Sequence, residues 1–168
     1  YNHVTSKDGI LDALAEHVLA ELTLPAATGC LEDDLRALAQ AFRAANLAHP
    51  LAATLVLTRQ LASPESLLPT EHVLAVLRRA GLGPALSVHV LRALLATMTG
   101  TLLRELNPAP GCGTTDAKGI AWRQQVLEGA ALPHLAESAV HLARCDHAAE
   151  YAFAVELLID AVRRIARA

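Results

Sequence analysis

Apolar residues recur along this chain at intervals of three and four, the spacing that puts them on one face of a helix. Ile10, Leu11, Leu14, Val18, Leu19 and Leu22 mark a first helix. Thr5 or Ser6 is placed to cap it, Asp8 follows Thr5 in capping-box spacing, and Pro25 lies just beyond its end. Glu32 and Asp33 favour the start of a second helix through the macrodipole, with Leu31, Leu35, Leu38 and Phe42 as its inward stripe. Pro50 opens a third, Leu51 to about Ala62. Ser63-Pro64 predicts a short helix and Thr70-Glu71 a separate one that ends at Gly81, with Arg78 and Arg79 in its last turn. Gly83-Pro84 begins the most apolar helix, to about Leu106. Asn107 to Gly119, rich in Pro and Gly, is the one clear loop. Helices at about Ala121 to Glu128, Pro133 to Arg144 and His147 to Arg167 complete an all-α bundle of eight to nine helices.

The two long late helices carry more apolar surface than one neighbour can cover. The Pro84 helix has only Arg92, Arg104 and Glu105 as charges. In the last helix, Glu156, Asp160, Arg163, Arg164 and Arg167 form a narrow polar stripe. Tyr151, Ala154, Val155, Leu158, Val162 and Ile165 line one side of it, and Phe153, Leu157 and Ala161 the other. Two apolar faces need two partners, so one face is expected in the subunit's own core and the other against a symmetry mate. Two helices from each chain then make a four-helix interface in a homodimer. Leu94, Ala96, Gly100, Tyr151, Val155, Leu158 and Val162 are the candidate interface positions, Ala96 and Gly100 being small enough for close helix approach.

Composition points the same way. Hydrophobic residues make up 53% of the 168 and charged residues 18%, richer in apolar side chains than an average soluble domain. The longest charge-free run, Ala44 to Thr58, is broken by His49 and Pro50 and falls short of the roughly 20 residues that span a bilayer, so no membrane partner is expected. An oligomer interface, an internal ligand cavity, or both, fit the surplus better. A net charge of −3 and a pI near 6.2 exclude strong polyanion binding by these residues alone. Cys30, Cys112 and Cys145 are odd in number and lack Cys-x-x-Cys spacing, against a disulfide framework or a zinc ribbon and in favour of a reducing cytoplasm. No signal peptide is visible.

The opening residues, Tyr1-Asn2-His3-Val4 followed by Thr5-Ser6-Lys7-Asp8 and the apolar Ile10-Leu11-Asp12-Ala13-Leu14, resemble the exit from the DNA-recognition helix of TetR-family transcriptional repressors. Ala39-x-x-Phe42, Thr58-Arg59 and Ala154-Val155-Glu156-Leu157-Leu158-Ile159 are similar to later parts of the tetracycline-repressor-like branch. The resemblance implies that residues 1–5 end a helix-turn-helix head whose remainder lies upstream, and that 6–168 form the effector-binding and dimerisation body. It implies that Tyr1, His3 and Lys7 sit where relatives touch DNA phosphates, contacts that position without specifying sequence. Operator DNA, reached through the upstream head, and a small-molecule effector are the implied partners.

Where tetracycline repressors place the magnesium-binding His, four residues before the Arg of the Thr-Arg pair, this chain has Leu55; Thr23 and Leu38 replace polar drug anchors. Tetracycline with magnesium is therefore disfavoured, and no cofactor is expected. Phe42, Thr58 and Arg59 remain matched, and Leu38, Leu55, Leu74, Leu91, Leu95 and Met98 are candidate lining of a greasier pocket, suited to a hydrophobic or amphipathic molecule. Trp122, which follows the loop, is a candidate for the pocket mouth.

Two other readings stay open. His134, His141, Cys145 and His147 could be drawn as a mixed nitrogen and sulfur metal site or as working groups of a helical enzyme, although their spacing matches no established zinc signature. A helical dimer without any effector would keep the same fold. No Gly-x-Ser-x-Gly elbow and no Gly-rich phosphate loop after a strand occurs, so catalysis is the weaker class.

Overall fold

Ser6 starts the first helix by accepting the Gly9 N–H on its Oγ at 3.1 Å, a side-chain cap for one of the donors that helical bonding leaves over. The computed structural model describes residues 6–59, 63–107 and 113–167. Among them it contains α1 (Lys7–Ala20), α2 (Leu31–Ala48), α3 (Pro50–Thr58), α4 (Pro64–Arg79), α5 (Pro84–Leu106), α6 (Ala117–Glu128), α7 (Pro133–Glu137), α8 (Ala139–Leu142) and α9 (His147–Ala166). No strand is present among the described residues; a lone bridge joins Thr114 to Arg144.

Several boundaries differ from the sequence expectation. The helices expected on either side of Pro69 are one, α4, with the proline inside it. Pro69 forfeits a single hydrogen bond near the N-terminus, and Ser63 Oγ accepting from Ser66 N at 3.2 Å secures the start. The third helix ends at Thr58, because Arg59 turns to extended geometry; the expected continuation to Ala62 falls outside the described residues. α6 begins four residues early, where Asp116 accepts the Gly119 N–H at 2.7 Å. The segment from Pro133 breaks at Ser138 into α7 and α8.

The core lies where α5 and α9 pack together and against α2 and α4. Leu35, Leu38, Val76, Leu77, Val90, Leu94, Met98, Leu102, Tyr151, Val155, Ile159 and Val162 form it. By length and composition α5 could cross a membrane; in this fold it is instead the helix that α2, α3, α4 and α9 surround. Glu105 near its end and Tyr151 near the start of α9 share the neighbourhood of Arg43, so the two helices run antiparallel.

Polar bonds fix the order of these layers. Asp34, 5% exposed, accepts from Thr28 N and Oγ1 at 2.7 Å, from Gly29 N at 3.3 Å and from Arg79 at 3.2 Å, so one carboxylate closes the turn into α2 and joins it to α4. Arg43 forks onto Glu105 at 2.5 and 3.1 Å, and Arg36 onto Glu156 at 2.6 and 3.0 Å, tying α2 to α5 and α9.

The structure corrects part of the expected subunit interface. Tyr151, Val155, Val162 and Leu94 are buried within the single subunit, under α2 and its neighbours, and Leu158 is half-buried beside them. The outward apolar row of α9 is the other one, with Phe153 at 64% and Leu157 at 55% exposure, and Ala96 and Gly100 are exposed on α5. Either row of α9 could have faced inward by periodicity alone; the bulkier Tyr151, Val155, Ile159 and Val162 set fills the space between α2 and α5.

Candidate functional site: an apolar cavity behind the first helix

Five helices meet around a cavity of about 470 Å³, within the usual span of roughly 300–1,000 Å³ for small-molecule sites. The end of α1 and the turn after it contribute Leu19, Leu22 and Leu24; α2 contributes Leu35, Leu38, Ala39 and Phe42; α3 contributes Val56 and Leu57. The opposite wall is Leu67, Pro69 and Val73 of α4 with Leu91, Leu94, Leu95 and Met98 of α5. Ser66, Thr70 and Thr99 add hydroxyls, and among the described residues Arg59 is the only charged one lining it.

Arg59 occupies the end of α3, where extended geometry sends its side chain across to α1. Its Nε donates to Asp12 Oδ1 at 2.5 Å, and its Nη2 to the Asp8 carbonyl at 3.2 Å and Asp8 Oδ1 at 3.3 Å. The hydrogen bond to Asp12 raises the Arg59 pKa above its usual value, burial opposing and Asp8 adding to it. At the other end of α3, His49 Nε2 lies 2.7 Å from Glu21 Oε2, while His17 Nε2 lies 3.1 Å from Glu21 Oε1. The hydrogen bond from His49 holds the Glu21 carboxyl below its ordinary range. α1 and α3 are thus antiparallel and fastened at both ends, and the fastening nearer the chain start passes through a cavity residue.

Of the expected pocket residues, Leu38, Phe42, Arg59, Leu91, Leu95 and Met98 line this cavity together. Leu55, Thr58, Leu74 and Trp122 are not among its lining. Of the half-buried Leu55, Val56 and Leu57 in α3, Val56 and Leu57 reach the cavity; Thr58 is exposed and returns its hydroxyl to the Thr54 carbonyl at 2.6 Å. Trp122 is 65% exposed on α6. Leu94, expected at the subunit interface, is a wall residue instead. The row Ser66, Thr70 and Val73 was missed because Pro69 hid the continuity of α4. Its spacing of four and three would have shown it on an unbroken helix.

The histidine and cysteine constellation does not assemble as drawn. His134 and His141 are exposed, and the close pair is Cys145 Sγ and His147 Nδ1 at 3.5 Å, in an open recess shared with Arg43, Glu105 and Asp146. Among the described residues no group of three or more His, Cys, Asp or Glu is arranged to hold a metal ion. Lys7 is exposed at the first position of α1; Tyr1 and His3, the other candidate phosphate contacts, lie outside the described residues.

Comparison with known proteins extends these observations. Residues 24–165 match the family model described as the tetracyclin repressor-like C-terminal domain. An HTH-type transcriptional regulator of Saccharopolyspora erythraea is 42% identical over 86 residues, 51% of this chain and 36% of that relative, so the match spans little more than a third of the relative's length. A structure described as a possible TetR family transcriptional regulator from Streptomyces coelicolor superposes with a TM-score of 0.79 at 28% identity, covering 98% of this chain and 82% of that one. The TetR family protein ActR of Streptomyces coelicolor, solved in complex with actinorhodin, shares the fold with a TM-score of 0.83 at 22% identity, over 99% of this chain and 80% of its own.

Proposed function

The chain belongs to the family of tetracyclin repressor-like C-terminal domains, and on that premise we propose that residues 6–168 form the effector-binding and dimerisation body of a ligand-responsive transcriptional regulator. Residues 1–5 are assigned to the end of its DNA-binding head. The regulator is a repressor that works on operator DNA in the cytoplasm and lets go when a hydrophobic or amphipathic molecule fills the cavity. Its family speaks for regulation rather than catalysis. The observation that carries the reading is the 470 Å³ cavity whose wall residue Arg59 is bonded to α1, the helix nearest the head. A cavity of that size weighs against a body without an effector.

Ligand can shift such an equilibrium only by binding one arrangement of the body better than the other. Two heads reading successive major grooves must sit about 34–36 Å apart, and a modest rotation of α1 in each subunit spoils that distance. Pairing is assigned to the exposed faces of α5 and α9, Ala96 and Gly100 with Phe153 and Leu157. The test is a titration of the full-length protein on its operator, followed by fluorescence anisotropy, with compounds shown by calorimetry to enter the cavity. Release of DNA at the concentrations that fill the cavity is the expected outcome. Operator affinity indifferent to every cavity-filling compound defeats the reading.

A further inference from the structure

We propose that the effector is an amphipathic organic anion whose acid group takes the Arg59 guanidinium from Asp12 and Asp8, freeing the first half of α1 from α3. This rests on the cavity reading above and names its ligand class and its switch. Among the described residues, Arg59 is the only charged one lining a wall otherwise made of hydrocarbon and the hydroxyls of Ser66, Thr70 and Thr99. An ionised ligand group therefore has one place to go, and a guanidinium fork matches a carboxylate in shape as well as charge. A cationic ligand finds no carboxylate among the described residues of this wall.

The present partners of Arg59 stand on the wet side of it. The Asp8 side chain is 81% exposed and that of Asp12 46%, against 24% for Arg59. Ion pairs so open to water contribute little, because water competes for both members. An acid held from the cavity side bonds in drier surroundings, where the same charge-assisted contact is stronger. Arg59 Nη1 makes no hydrogen bond among the described residues, so the incoming acid has a first foothold before it competes for Nε and Nη2. A third carboxylate crowding one guanidinium repels the first two, and the exposed pair yields to solvent.

Release matters because the first two turns of α1 are otherwise held mainly by the half-buried Leu11. Ile10 is 59% exposed and Leu14 43%, and the first buried residue is Ala15. Beyond it, Val18 in the core and Glu21 against His49 hold the second half in place. Exchange at Arg59 thus loosens the half of α1 nearest the chain start while the other half serves as its pivot.

Binding of 2-naphthylacetate, 2-naphthylethanol and 2-naphthylethylamine to the protein by calorimetry tests this, with hydrogen exchange read along α1. The acid is expected to bind at least about tenfold tighter than the alcohol. Arg59→Gln erases that preference, while Asp12→Asn, removing a competitor, tightens the acid by about two- to fivefold and leaves the alcohol unchanged. The acid, and not the alcohol, speeds amide exchange between Asp8 and Leu14. Equal binding of acid and alcohol, or preference for the amine, overturns the ligand class and leaves the cavity reading standing. Asp12→Asn that weakens the acid or leaves it unchanged overturns the exchange at Arg59 even where Arg59→Gln fails to fold. Binding of none of the three overturns both readings.

Discussion

The Tyr151 hydroxyl donates to the Ala39 carbonyl at 2.7 Å, joining the first turns of α9 to a residue of the cavity wall. Burial pushes the phenol pKa well up, and the Arg43 guanidinium lies 5.7 Å from the ring centroid. Because Ala39 sits inside α2, its carbonyl keeps helical bonding when the phenol is gone. Tyr151→Phe is therefore expected to lower stability by about 1 kcal/mol, the net contribution of one such bond. The change should appear as a lower denaturant midpoint at unchanged slope, with the oligomeric state unaltered. Dissociation at constant stability would instead return Tyr151 to a subunit interface.

Phe153 and Leu157 present the opposite expectation. Both are exposed large apolar residues one turn apart on α9, outside the core that Tyr151 and Val155 fill. Placing Glu at both positions should leave the helical signal intact and convert a dimer of twice 17.8 kDa into single chains, read by light scattering on a sizing column. A double variant that stays dimeric, or a parent protein that is monomeric throughout, removes this face from the proposed interface.

Helix content, helix order and the apolar excess were legible in the sequence because each rests on local spacing. What periodicity could not decide was which of two apolar rows faces inward, and α9 was misassigned for that reason: Tyr151, Val155 and Val162 went to the interface, which left the row of Phe153 and Leu157 for the core. α3 is apolar on nearly every side, so Leu55 and Val56 were interchangeable until packing against α1 and α2 chose between them. The tie from Arg59 to Asp12 spans 47 residues, and no pattern along the chain announces it. Pro69 misled through its usual role as a breaker, although near the start of a helix its missing N–H costs only one bond.

Acid should weaken the protein through carboxylates held ionised by the fold. Burial raises the Asp34 pKa, but the bonds from Thr28, Gly29 and Arg79 outweigh it and the net shift is downward. Glu156 is lowered by the hydrogen bonds from Arg36. A carboxyl whose folded pKa is depressed contributes stability that is complete above its unfolded value, about 4, and is lost as pH falls through the lower folded value. Stability should therefore be flat from neutrality to about pH 5 and decline below about pH 4. Asp34→Asn should cost about 2 kcal/mol at neutral pH and flatten that decline. Chemical denaturation at stepped pH tests it, and an unchanged acid slope in the variant counts against Asp34 as a source.

Gly113 tests the backbone between α5 and α6. Its φ is +85°, and a Cβ there would lie 2.6 Å from the Arg144 carbonyl oxygen, beside the bridge in which Thr114 N donates to Ala143 O at 3.2 Å. Gly113→Ala combines left-handed strain with a clash against backbone that has no flexible end to move, and should cost at least about 2 kcal/mol. A thermal midpoint equal to the parent's would show that this turn rearranges freely.

Filling the cavity separates binding from folding. Leu91 is 8% exposed on α5 and faces the open volume rather than a packed neighbour on that side. Leu91→Trp adds an indole to a space of about 470 Å³, so the penalty of about 1–3 kcal/mol usual for overpacking a tight core should largely vanish. Expected are a stability within about 1 kcal/mol of the parent, loss of ligand binding by calorimetry, and operator affinity that no longer responds to ligand. The sign of that locked affinity is informative. A bulky side chain that merely occupies space leaves Arg59 bonded to Asp12, so the filled protein should hold operator DNA as the ligand-free parent does. Constitutive release from operator would mean that filling the volume, and not exchange at Arg59, moves α1.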